Sequence, residues 1–119
     1  MLFFDRAPRL LPVYAALRAA LTARYPEMRV RVAKTQISFL NRRIFAMVSI
    51  LPRRTKGGPE NGLRLSFGLP YRQVSPRIAQ AAEPYPNRWT HHVIVESVSE
   101  LDAELLGWIG EAFAFAMVK

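Results

Sequence analysis

Apolar residues recur at Leu10, Val13, Tyr14, Leu17 and Leu21, the i, i+3, i+4, i+7 spacing of one helical face. The pattern predicts a first helix over about Pro8–Tyr25. Pro8 and Pro12 belong near its first turn, and Tyr25-Pro26 stops it. A period of two follows. Met28, Val30 and Val32 alternate with Arg29 and Arg31, then Ile37 and Phe39 reverse the parity. An unbroken strand would put the two apolar sets on opposite faces, so the chain must turn or bulge within residues 33–36. Lys34, Thr35 and Gln36 sit on that irregular backbone.

Asn41-Arg42 reads as a two-residue turn pairing Phe39 with Ile44 and Ile37 with Ala46. Ile37, Phe39, Ile44, Ala46, Val48 and Ile50 then share one sheet face. Gln36, Ser38, Phe45, Met47 and Ser49 share the other. Pro52 to Gly62 is a loop with a basic tip of Arg53, Arg54 and Lys56, and Leu63, Leu65 and Phe67 begin another strand. Arg64 and Ser66 alternate out of it toward the polar face. A short strand is expected near Arg77–Glu83, a turn across Tyr85–Arg88, and a strand from Trp89 to Glu96. Ser97 and Glu100 fit a capping box before a closing helix, whose apolar face is Leu101, Leu105, Trp108, Ile109, Ala112, Phe113 and Ala116.

The expected architecture is α+β: an N-terminal helix, an antiparallel meander of five or six strands, and a C-terminal helix. Both helices cover one sheet face, and the whole of residues 1–119 forms one domain. The other face is left at least partly open.

Composition narrows this only modestly. Half of the 119 residues are hydrophobic and none is cysteine, which excludes disulfides and thiolate metal sites within the chain and suits a cytoplasmic setting. No apolar run reaches the ~20 residues of a membrane-spanning helix. The net charge is +8, from 17 basic and 9 acidic side chains. Residues 1–78 carry 15 basic and 3 acidic side chains, and residues 79–119 carry 2 and 6. Such polarity suits steering, self-association or phosphate contact, and equally a solvated surface. Arginine supplies 14 of the 17 cations, which a GC-rich genome also explains.

Candidate chemistry is sparse. His91 and His92 are adjacent strand residues and point to opposite faces, so they do not share a metal. His91 goes with Trp89, Val93 and Val95 toward the core. His92 goes with Thr90 and Ile94 to the open face and is the better acid–base candidate. No metal-ligand spacing, phosphate loop, nucleophile elbow or carboxylate pair is present, and no cofactor is implied.

The segments Lys34-Thr35-Gln36-Ile37-Ser38-Phe39, Asn41-Arg42 and Glu83-Pro84-Tyr85-Pro86-Asn87-Arg88-Trp89-Thr90-His91-His92 carry a resemblance. With Phe3-Phe4 and the closing Leu105-x-x-Trp108, they resemble, in order, the bacterial family called domain of unknown function 5655. That family usually has a small residue where Leu40 stands. The resemblance implies the fold and no particular activity. It directs attention to Lys34, Gln36, Asn41, Arg42, Arg88, His91 and His92.

The leading expectation is a non-enzymatic module that binds an anionic, phosphate-bearing or acidic small molecule. Its ligand-binding set is Lys34, Gln36, Ser38, Asn41, Arg42, Arg88 and His92. Three alternatives stand beside it: an enzyme using His92 or His91 as acid–base, a homodimer closing through Phe45, Met47 and Ile94, and a nucleic-acid accessory domain.

Overall fold

The computed structural model describes Phe4 and residues 7–50 and 62–118. The basic tip Arg53, Arg54 and Lys56, and Phe3, lie outside the described residues. A 3-10 turn at Pro8–Leu10 runs into helix α1, Leu11–Arg24, with Pro12 in its first turn where a missing N–H costs nothing. Val13, Tyr14, Leu17 and Leu21 are its buried face.

Six strands follow: β1 (Arg29–Val32), β2 (Ile37–Leu40), β3 (Ile44–Ile50), β4 (Leu63–Leu69), β5 (Ile78–Tyr85) and β6 (Arg88–Val95). They form one antiparallel sheet in the order β1-β2-β3-β4-β6-β5. The first four make a meander. β5 then takes the outer edge and β6 returns between it and β4, which a simple meander does not anticipate.

The parity break is a turn. Ala33 donates its N–H to the Gln36 carbonyl at 2.8 Å, and Val32 pairs with Ile37. The next turn differs from the sequence expectation. It spans Asn41, Arg42 and Arg43, Leu40 pairs with Ile44, and the register shifts so that Phe39 opposes Ala46 and Ile37 opposes Val48. Relative to Phe39 opposite Ile44, the slip is two residues, so the apolar and polar sets keep their faces. Phe45 is the exception. As the extra residue of the bulge it turns to the helix side, where it is buried against Phe113 and Tyr25, with ring centroids 5.0 and 6.0 Å away. Phe45 therefore does not belong to the open face. Ile44, expected in the core set, is exposed.

Both helices lie on one face. Tyr14 of α1 packs on Phe39, and Trp108 of helix α2 (Ala103–Val118) packs on Phe67. Phe39 and Phe67 both oppose Ala46 and so point the same way. Ile37, Val48, Leu65, Val93 and Val95 complete this core at 2% exposure or less.

The capping box forms at Ser97 and Glu100 but closes a 3-10 turn, Val98–Glu100. Asp102 caps α2 instead, accepting the Leu105 N–H at 3.0 Å. Arg77 ties this junction to the sheet. It donates to both Asp102 carboxylate oxygens, to Glu104 and to the Glu100 carbonyl. No described helix is long and apolar enough to cross a membrane.

Candidate functional site

β3 and β4 pair only from Ala46 and Phe67 onward. Ile44 and Phe45 on one strand and Gly68 and Leu69 on the other stay apart at that end of the sheet, leaving a notch. The bulge at Phe45 opens it, and the C-terminal half of α2 roofs it with Ala112, Phe115 and Ala116. The resulting cavity is about 170 Å³. Its walls are mostly apolar, including Phe45, Met47 and Phe67. Its polar groups are Arg43, Arg88, Ser66 and Thr90. Arg88 lies over the Phe115 ring at 5.9 Å. Among the described residues, neither Arg43 nor Arg88 has a carboxylate partner; the ion pairs found there are those of Arg77.

Ser66 links this cavity to His92. The Ser66 hydroxyl and His92 Nδ1 are 2.6 Å apart across the β4–β6 pair. Ser66 is 4% exposed and His92 half-buried. Burial, then the nearby Arg64 and His91, hold His92 below the ordinary histidine pKa, so it is neutral near pH 7.

His91 is a different residue in every respect. It is fully buried, stacks on Phe67 at 5.2 Å, and its Nε2 accepts the Gln73 N–H at 2.9 Å. That bond requires the proton on Nδ1, which makes no hydrogen bond of good geometry. Burial pushes its pKa down. The backbone of Phe67 and Trp89 pulls the other way, and Arg72 adds to the lowering.

The remaining sequence candidates scatter over the sheet. Lys34 is exposed in the β1–β2 turn, at the opposite end of the sheet from Arg88. Three strand spacings across and about eight residues along separate them, roughly 30 Å. Gln36 reaches only Ser38, at 3.5 Å, and Ser38 is buried on the open face beside Met47. Asn41 donates to the Phe113 carbonyl at 2.9 Å and Arg42 to the Met117 carbonyl at 3.4 Å. Those two clasp the C-terminal end of α2, where a cation opposes the helix dipole. They also border a shallower hollow of about 510 Å³ with Arg24, Tyr25 and Met117. Glu27 sits among its cations, which makes it less suited to an anion than the notch.

Arg88 thus lines the notch and His92 reaches it only through Ser66, while Lys34, Gln36, Asn41 and Arg42 do not join them. Arg43 and Phe115 enter the site without a sequence signal of their own, and Thr90, placed by strand parity beside His92, joins them. Only the three-residue turn and the bulge bring Arg43 to the notch.

The chain belongs to the family described as domain of unknown function (DUF5655). The family model matches residues 2–116, nearly the whole chain. No curated protein and no solved structure matches the chain. The matched region covers all six strands and nearly all of α2, so the notch is made entirely from family sequence. Among the described residues, no group of three or more histidine, cysteine, aspartate or glutamate side chains is placed to hold a metal.

Proposed function

We propose that this family domain is a binding module for a small ligand that joins one anionic group to an apolar body of about one ring. The observation that carries the reading is the pair Arg43 and Arg88, without a carboxylate partner among the described residues, on a cavity whose other walls are mostly apolar. A guanidinium that no carboxylate neutralises is available to a carboxylate or phosphate. A cavity of about 150 Å³ accommodates benzene, so 170 Å³ sets the size of the buried part. Thr90 and Ser66 offer hydroxyls to orient it.

Calorimetric titration with benzoate and with inorganic phosphate tests this. Benzoate is expected to bind more tightly than phosphate. Arg88→Ala and Gly68→Val should each weaken it at least tenfold. Gly68 lines the cavity, and a Cβ there meets nothing closer than 4.0 Å, so a valine fills the notch without disturbing the strand. Binding of neither anion, or binding unchanged by both variants, rejects the reading.

One observation favours a second reading, acid–base use of His92: the 2.6 Å contact between His92 Nδ1 and the Ser66 hydroxyl beside the cavity. A fluorophosphonate probe should then label Ser66 in the wild type and not in His92→Ala. An unlabelled wild type removes this reading and leaves the first untouched.

A further inference from the structure

Acidic side chains are nearly absent from the sheet, while the helix side mixes Arg9, Arg18 and Arg24 at α1 with an acidic cluster at α2. Glu83 is the only acidic residue in the six strands, and its carboxylate already accepts the Asn87 N–H at 3.0 Å. Glu100, Asp102, Glu104 and Glu111 all lie at or on α2, on the other side. The face that no helix covers holds arginines. Arg31 opposes Ser38, Ser38 opposes Met47, Met47 opposes Ser66, and Ser66 opposes His92, so these residues form one row across five strands on that face. Arg29 flanks this row on β1, Arg64 flanks it on β4, and Arg88 lies further along β6. Arg29 and Arg31 are exposed. Arg64 is held along the surface by its 3.1 Å bond to Ser49.

We propose that this open sheet face docks on the phosphodiester backbone of double-stranded nucleic acid. The occupant follows from charge and shape together. Arg31 on β1 and Arg64 on β4 are three strand spacings across and two residues along from each other, roughly 16 Å. That exceeds the ~12 Å width of a major groove by less than the reach of two arginine side chains, so the two guanidiniums meet phosphates of different strands. Between them lie Ser38, which is buried, and the half-buried Met47, so no ridge stands there to enter a groove. No phenylalanine, tyrosine or tryptophan stands in the row, so it offers no platform on which unpaired bases stack. The face therefore holds a duplex by its backbone and does not read its sequence. Its area, about five strand spacings by six residues, is roughly 500 Å². That is below the 600–1,000 Å² of a single sequence-reading module and places the affinity in the roughly 10⁻⁴–10⁻⁶ M range of nonspecific binding.

Fluorescence anisotropy with labelled duplex DNA, duplex RNA and single-stranded DNA of equal length tests this across a salt series. Duplex binding is expected to weaken with salt, with a slope of log K on log salt of about −3, since each phosphate contact contributes about −0.9. Arg29→Gln/Arg31→Gln should reduce the slope by about two units. Arg18→Gln/Arg24→Gln removes the same charge from exposed positions on α1 and should leave duplex binding within twofold. Thermal melts establish that both variants are folded. The stronger of the DNA and RNA duplexes identifies the natural polyanion. No duplex binding at low salt, equal effects of the two double variants, preference for the single strand, or binding to anionic lipid vesicles in place of duplexes each overturns the proposal. The arginines changed do not line the notch, so this outcome is independent of the small-anion reading.

Discussion

Lowering the pH from about 7 to about 5 is expected to weaken the fold, and His91 carries a distinct part of the loss. Its imidazole is 0% exposed, and Nε2 already accepts the Gln73 N–H. Protonation would set two N–H groups against each other in a site without water. The folded pKa is accordingly below the ordinary value, with burial the leading cause. The unfolded chain takes up its proton near pH 6.5. The sign follows: this contribution to stability is complete above about pH 6.5 and declines as the pH falls from there toward the folded pKa. The slope is at most about 1.4 kcal/mol per pH unit for one histidine. For a chain of this size, 1 kcal/mol moves Tm by about 4 °C. Asp102, whose pKa Arg77 lowers from 3.8, titrates below this window and does not blur it. His92 shifts in the same direction and adds to the slope. Urea unfolding followed by tryptophan fluorescence at half-unit pH steps would measure it for wild type, His91→Phe and His92→Gln. His91→Phe keeps a ring against Phe67 and strands the Gln73 N–H, an offset of about 1–3 kcal/mol that is the same at every pH. Its pH slope should be visibly smaller than that of the wild type. Equal slopes in the two proteins would refute the argument.

Three other outcomes are expected. Gly62→Ala should cost about 1–3 kcal/mol, because its Cβ would lie 2.6 Å from Ile94 Cγ2, whereas Gly68→Ala should be neutral or slightly stabilising; chemical denaturation separates them. Asn87 sits at φ 60° after Pro86 in the β5–β6 turn, so Asn87→Val should lose about 1–2 kcal/mol while Asn87→Gly holds its Tm within a few degrees. Arg77→Ala should lower Tm by several degrees, less at 1 M salt than at low salt, since its partners Asp102 and Glu104 are about half exposed. An identical drop at both ionic strengths would mean that its packing on the Trp108 ring, and not its charge, holds the junction.

Local pattern carried most of the fold. The parity reversal between Val32 and Ile37 marks a turn because side-chain direction along a strand has a fixed period, and Val32 does pair with Ile37 across it. The Tyr85–Arg88 turn is legible because Pro86 and Asn87 suit a positive φ at the second position. What escaped depends on partners distant in the chain. Nothing near Arg88 says that β6 sits between β4 and β5. Nothing near Phe45 says that a third turn residue will push its ring under α2. The candidate site suffered most. Its arginine pair is 45 residues apart in sequence, at positions 43 and 88, and meets only because the bulge opens the sheet end. Among the sequence candidates, Asn41 and Arg42 are held by backbone carbonyls of α2, a structural tie that a list of polar residues does not distinguish from a binding role.

The clasp of Asn41 and Arg42 on α2 also sets an order of events. The two residues grip carbonyls 72 and 75 positions later in the chain. Phe45 and Phe67 likewise wait for Phe113 and Trp108. During synthesis, β1 to β4 emerge with only α1 available to cover their apolar face, and the residues of α2 that seal the rest come last. Contacts of such long sequence separation form slowly. A nascent chain stalled before α2 would therefore display Phe45 and Phe67 to its surroundings, which makes this interval, and not the finished protein, the stage at which it most needs a chaperone.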